Sequence, residues 1–370
     1  MPVYWSMLIA TFVLGFLSFT VPKKQVVSKF GTEYKTPFIL AFLFFAYIVF
    51  FCSFRDVVLD TSAYISSFEA APSKWSEFSE YVKNLEAGEG FYITQAIFKI
   101  IIFDNHYAWF AFLATITCAC LLRTFYRYSI DFPLTAYLFI SGAVFVWLVN
   151  GTRQFLAAAI LFAFSDLLLE GKKFKYIIVA LLVSLIHVSA IFVIPVCLFA
   201  GAKKIWGKQM ILFIIITIIG TIYSESVFEF VSSAMEKNYT DSLEVGTGSN
   251  FLRLVIALVP VIIIILERKV VDEESDGRVI LAANMSLVSA CFYFASTFTN
   301  GILVGRMPIY FSLYNLYLLP WLLKRCFKGT KFRFMTLLCV AFYLIYFYYQ
   351  LEVTWHGLTY ISEFLNLYYF

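Results

Sequence analysis

Short clusters of ionisable residues interrupt a chain that is otherwise poor in charge, and any chemistry has to come from them. The first is Arg55-Asp56-Val57-Val58-Leu59-Asp60-Thr61-Ser62-Ala63-Tyr64. If this stretch is helical, Asp56, Asp60 and Tyr64 share one face at i, i+4 and i+8 spacing. Two carboxylates beside an arginine suit the binding of sugar hydroxyls or acid–base work. The same residues also suit a surface helix with acids in its first turn, Arg55 marking the end of a preceding span. A second cluster, Glu86-Ala87-Gly88-Glu89-Gly90-Phe91, lets the backbone turn sharply and sets Glu89 at a helix start, as a cap or as a chemical group.

The third cluster is Asn150-Gly151-Thr152-Arg153-Gln154. A cation in the first turn of a helix opposes the macrodipole, so helix stability does not account for Arg153. An anion held at that N-terminus removes the conflict, and a diphosphate fits the combination of backbone N–H groups and guanidinium. The plain alternative is an interfacial arginine reaching toward water. His187 stands alone in an apolar stretch, Leu185-Ile186-His187-Val188-Ser189. It reads either as a hydrogen-bonding partner between helices or as a base or phosphate ligand. Arg306 lies between two long apolar runs, and Arg253 is a weaker candidate of the same kind.

The elements that must position these residues are set by composition. Hydrophobic residues make up 61% and charged residues 14% of the chain, against about 25% charged in ordinary soluble domains. Several apolar runs exceed the roughly 18 residues that cross a bilayer core, with Tyr and Trp near their ends as in an interfacial belt. The net charge of +4 sits in short loops and gives no nucleic-acid signal. The seven cysteines fall mostly inside apolar runs and read as packing residues, not as a disulfide framework or metal site. The first segment, Val3 to Val21, lacks a basic leader and cleavage site and reads as a retained helix.

Basic loops mark the cytoplasmic side: 23–35, 123–127, 172–175, 203–208 and 324–333. Both termini then lie on the outer face. Spans are expected at about 37–54, 107–122, 132–149, 153–169, 210–223, 251–266, 279–303, 307–323 and 334–350. The run 176–200 is basic at both ends, and a hairpin turning near His187 keeps every later basic loop inside. The piece 91–103 is too short to span, is interrupted by Lys99, and reads as re-entrant or interfacial. Outer segments are expected at about 55–104 and 224–250, with an outer tail at 352–370. The fold class is therefore an all-α polytopic membrane protein in one domain, 1–370, with about ten to twelve crossings and short outer amphipathic and re-entrant helices. Several arginines, carboxylates and one histidine would converge on the outer face. That favours recognition of a lipid diphosphate over a conduction path, which would spread charges through the membrane depth.

In this order the segments resemble the EpsG family of bacterial polysaccharide polymerases, a branch of the Wzy-type enzymes. The resemblance rests on Tyr4-Trp5, Arg55-Asp56 with Asp60 and Tyr64, Glu89-Gly90-Phe91, and Asn150-Gly151-Thr152-Arg153-Gln154 with Ala157. His187-Val188-Ser189-Ala190 and Gly305-Arg306 with Tyr310-Phe311 complete it. It implies a GT-C-like fold and a glycosyltransferase in the inner (cytoplasmic) membrane. Such an enzyme joins undecaprenyl-diphosphate-linked oligosaccharide repeat units at the outer face into O-antigen, capsule or exopolysaccharide. It implies no cofactor and no metal, and as partners the bilayer and the flippase and chain-length regulator of the same pathway. Arg153 and Arg306 would clamp the diphosphate with Arg55 assisting. The base would be His187, Asp60 or Glu89, in that order, and Asp56, Tyr64, Asn150 and Gln154 would contact sugar. Leu358-Thr359-Tyr360 stands where a Pro-Tyr pair is expected, so the tail receives no role. A flippase or exporter, a polysaccharide O-acetyltransferase and a ligase are the other readings.

Overall fold

Apolar helices account for most of the chain, as its hydropathy requires where backbone groups cannot turn to water. The structure, a computed structural model, describes residues 2–28, 31–85, 89–201, 203–227, 229, 248–301, 304–355 and 358–369. Among the described residues, five helices are long and apolar enough to cross a membrane: Pro2–Thr20, His106–Tyr128, Thr152–Leu169, Gly277–Phe298 and Gly329–Thr354. Six shorter apolar helices accompany them: Phe38–Ser53, Gly90–Ile101, Phe132–Ser141, Val188–Phe199, Lys208–Ile222 and Phe251–Leu266. The protein is an all-α polytopic membrane protein, its strands confined among the described residues to two small antiparallel hairpins. The expected cluster at Glu86–Gly88 and most of the polar segment 224–250 lie outside the described residues.

Contacts divide the chain into two units. Unit 1 holds Met1–Phe164, Ile178–Ile191 and Gly329–Phe370, and unit 2 holds Ser165–Ile177 and Phe192–Lys328. In unit 1, α1 (Pro2–Thr20), α2 (Phe38–Ser53), α6 (His106–Tyr128), α7 (Phe132–Ser141) and α8 (Thr152–Ala163) pack on one another. Between α2, α6 and α7 the rings of Phe45, Phe125, Phe132 and Phe139 interlock. A second aromatic core joins Phe68 of α3 (Thr61–Ala70), Phe91 and Phe98 of α5 (Gly90–Ile101), Trp109, Phe110 and Leu113 of α6, and Leu156 of α8. Tyr64, Tyr92 and Ile186 pack against this core, so it fixes the elements that carry the charged clusters. Helix α4 (Trp75–Lys83) has no buried residue, in keeping with a surface helix.

Several cations of unit 1 find their counter-charge in helix C-termini, where carbonyls and the macrodipole favour them. Buried Lys99 donates to the carbonyls of Phe68, Glu69 and Ala71 at 3.0, 3.0 and 2.8 Å, closing α3. Lys35 donates to the carbonyls of Tyr126 and Arg127 at 2.8 and 2.6 Å, at the end of α6. Arg123 donates to the Ala163 carbonyl at the end of α8. The interruption that Lys99 makes in 91–103 is thus a cap for a neighbouring helix. The basic loop 23–35 is in fact a hairpin of β1 (Lys24–Ser28) and β2 (Gly31–Lys35).

The span expected at 132–149 stops early. Helix α7 ends at Ser141, Ala143 adopts φ 56°, and a 3₁₀ turn, Val144–Leu148, follows. The run 176–200 is a hairpin. Its arms are α9 (Lys173–Ser184) and a 3₁₀ turn Val188–Phe192 that leads into α10 (Val193–Phe199), with His187 between the arms. A straight helix would hold its ends about 37 Å apart, yet Lys173 Nζ donates to the Leu198 carbonyl at 3.2 Å.

In unit 2 the helices Phe251–Leu266 and Gly277–Phe298 approach closely over small residues, with Ala257, Val261 and Ala290 buried between them. Asn284 fixes the preceding loop, donating to the carbonyls of Gly201 and Lys204 and accepting from the Trp206 N–H.

Candidate functional site

The start of α8 organises the site. Gly151 occupies the N-cap position at φ 73°, and a Cβ there would lie 3.1 Å from the Trp147 ring, so only glycine fits without strain. A glycine cap leaves the first N–H groups of the helix without a side-chain acceptor of their own. Acceptors come instead from a segment far upstream. Asp60 Oδ2 accepts the Gly151 N–H at 3.1 Å, and the Tyr64 hydroxyl accepts the Arg153 N–H at 3.4 Å. The chain's own carboxylate therefore answers part of the electrostatic conflict posed by Arg153.

Asp60 can do this because its segment is not one helix. Leu59 adopts φ 47°, α3 begins only at Thr61, and Asp60 precedes it without capping it. The expected common face of Asp56, Asp60 and Tyr64 does not exist, for this backbone kink separates Asp56 from the other two. Asp60 and Tyr64 turn to α8. Asp56 accepts the Tyr107 hydroxyl at 2.7 Å and the Glu363 N–H at 2.7 Å, with His106 Nε2 at 3.6 Å. Asp56 thus fastens the C-terminal tail.

The Arg153 guanidinium lies 4.9 Å from the Tyr92 ring centroid and 5.6 Å from that of Phe91, both at the start of α5. Aromatic faces hold a guanidinium without consuming its donors. Burial pushes the Tyr64 phenol above its ordinary value, while the N–H and charge of Arg153 pull it the other way. Tyr64 accordingly stays protonated and can donate its own hydrogen. Glu89 takes the N-cap position of α5, as its sequence context suggests. A Cβ on Gly90 would lie 2.7 Å from the Leu185 carbonyl, so this glycine lets α5 abut the hairpin that carries His187.

His187 joins the same cluster through a short relay. Its Nδ1 lies 2.7 Å from Ser189 Oγ and accepts the Ser189 N–H at 3.3 Å. Gln154, the residue after Arg153, donates its amide to Ser189 Oγ at 3.1 Å. Asn150 supplies a backbone N–H to the Val146 carbonyl at 2.9 Å just before the glycine cap.

Arg55, also expected at the site, is enclosed within unit 1. It is 1% exposed and lies against the Phe110 ring at 4.1 Å. Its Nε donates to Thr61 Oγ1 at 3.1 Å, and Nη1 donates to the Cys52 carbonyl at the end of α2. Burial lowers its pKa from the ordinary arginine value. It closes a helix, as Lys35 and Lys99 do, and is not presented to a ligand. Arg306 belongs to unit 2, where it ends the single turn Val304–Arg306. Sequence reasoning singled out neither Tyr92 nor Ser189 for a role. The serine two positions after a histidine was the available signal, since that spacing returns an N–H to the ring.

Residues 38–361 match the EpsG family. No curated protein and no solved structure matches the chain.

Proposed function

The chain belongs to the EpsG family, Wzy-like polysaccharide polymerases, and we propose that it extends glycans by transferring them from a lipid diphosphate to an acceptor sugar. The observation that carries this reading is the placement of Arg153. Lys35, Arg55, Lys99 and Arg123 serve helix C-termini, whereas Arg153 stands at a helix N-terminus, held by two aromatic rings beside Asp60 and Tyr64. A cation in that position suits an anionic ligand, and a diphosphate is the anion that such a reaction brings.

In the proposed reaction the acceptor hydroxyl oxygen bonds to the anomeric carbon of the donor sugar. The bond from that carbon to the phosphate oxygen breaks, its electron pair going to the leaving diphosphate. The hydroxyl proton passes to a base within the cluster, for which His187, Asp60 and Glu89 are the candidates. Charge builds on the leaving phosphate, so a preorganised cation there supplies most of the rate. Tyr64, Asn150 and Gln154 are proposed to contact sugar. Undecaprenyl diphosphate is the proposed carrier and the outer face of the cytoplasmic membrane the proposed location.

The test is reconstitution of the purified protein in lipid with undecaprenyl-diphosphate-linked repeat units extracted from the cells that make them. A ladder of lengthening products is expected, and Arg153→Ala should abolish it. No ladder from the wild type, or an undiminished one from Arg153→Ala, would sink the proposal.

A further inference from the structure

His187 is the most obvious proton acceptor in the cluster, yet its own hydrogen bonds argue against that role. A backbone N–H can only donate. The Ser189 N–H points at His187 Nδ1 from 3.3 Å, so Nδ1 must present its lone pair. The Ser189 hydroxyl, 2.7 Å from the same nitrogen, completes the arrangement by donating to it as well. Gln154 is compatible with this polarity, since its amide N–H donates to Ser189 Oγ at 3.1 Å. The conclusion does not depend on how the Gln154 amide is turned, because the backbone donor alone decides it. A neutral imidazole with its lone pair at Nδ1 carries its proton at Nε2.

We infer that Ser189 and Gln154 fix His187 as the Nε2–H tautomer, so that His187 acts as a hydrogen-bond donor to the leaving lipid-linked phosphate and not as the base. This rests on the polymerase reading above. The relay ties the ring to Gln154, the residue following Arg153, and so to the first turn of α8, where the proposal seats the diphosphate. Arg153 and His187 then both stabilise the phosphate as the anomeric carbon–oxygen bond breaks and its electron pair moves to the phosphate oxygen. The acceptor's proton goes to the carboxylate of Asp60, which stands at the same helix start through its bond to the Gly151 N–H. No proton passes through His187. Ser189 is a positioning residue, acting on the reaction only through the ring.

Two measurements on the full-length protein in lipid nanodiscs test this. The first is NMR of protein labelled with nitrogen-15 at histidine; the chain has 3 histidines, and His187→Gln assigns the relevant pair of signals. At neutral pH a protonated Nε2 and an unprotonated Nδ1 are expected, and a proton on Nδ1 overturns the inference. The second compares polymer ladders from His187→Gln, which keeps an N–H donor, and His187→Glu, which installs a base. A donor role predicts that the glutamine variant is faster by about tenfold or more, a donor being worth about 10²–10³ in rate where charge develops. Equal rates, or a faster glutamate variant, overturn the inference. The two proposals fail separately: the NMR result needs no activity, whereas a wild type that makes no ladder defeats the polymerase reading.

Discussion

The Asp60 carboxylate accepts the Gly151 N–H at 3.1 Å, although Asp60 itself precedes helix α3, where a carboxylate would ordinarily turn back onto its own helix. One side chain therefore braces the start of α8 and, in the proposed mechanism, also receives the acceptor's proton. Asp60→Asn separates these duties, because an amide oxygen still accepts from Gly151 while the base is lost. Polymer formation should fall by about 10²- to 10⁴-fold, with the thermal midpoint little changed. Activity near that of the wild type would remove Asp60 from the mechanism.

Arg153 and Lys99 give opposite signatures. Replacing Arg153 by Gln relieves an unfavourable charge at a helix N-terminus, about 0.3–1 kcal/mol, and removes the cation–π contacts to Tyr92 and Phe91, together about 1 kcal/mol at a site open to a ligand. The terms offset, so thermal stability should barely move while the ladder disappears. Lys99→Met strips three carbonyls of their donor and should cost about 3 kcal/mol of stability. Turnover per folded molecule should be retained in that variant. Parallel melting curves and ladder assays distinguish the two roles, and an Arg153 variant that melts as early as the Lys99 variant would show Arg153 to be structural.

How much of this was legible in the sequence depended on range. Helix α6 was legible because a continuous apolar run with polar ends allows little else in a bilayer. The hairpin at His187 followed from charge, since a single span would have put basic residues on both sides. Asp56 was misplaced because i, i+4 spacing implies a shared face only if the helix is unbroken, and the φ of 47° at Leu59 breaks it. Lys99 looked like an interruption because the carbonyls it closes belong to another helix. The tail was given no role because Leu358-Thr359-Tyr360 stands where a Pro-Tyr pair is expected, and its pairing of Ile361 with Val57 is again a contact between distant parts of the chain. Periodicity carries no information about such pairings.

Gly151 should be intolerant of any side chain. Alanine at φ 73° costs about 1–2 kcal/mol from backbone conformation alone, and its Cβ would meet the Trp147 ring at 3.1 and 3.2 Å. Asparagine tolerates that backbone conformation better but not the ring. Pairing Gly151→Ala with Trp147→Leu separates the contributions: the double variant should recover the steric part of the lost stability and no more. A single Gly151→Ala variant as stable and active as the wild type would contradict the geometry of the α8 cap.

Tyr360 closes α2 from the far end of the chain, its hydroxyl donating to the Phe51 carbonyl at 2.9 Å and lying 3.3 Å from that of Phe54. Its ring also meets Tyr4 edge-on at 6.3 Å, a contact that phenylalanine would keep. Tyr360→Phe therefore isolates the hydroxyl, and leaving these part-buried carbonyls without their donor should cost about 1 kcal/mol. The pH dependence follows from burial, which raises the Tyr360 phenol above its ordinary value of 10.0, with Cys52 adding to the rise and Arg55 opposing it. A folded-state pKa above the unfolded one means that the folded protein holds the proton more tightly. The contribution is then complete below about pH 10 and is lost as pH rises through the folded value. The stability gap between wild type and Tyr360→Phe should accordingly stay constant from pH 7 to 9 and narrow in more alkaline solution. A gap that widens with pH would mean that the hydroxyl is not buried against the end of α2.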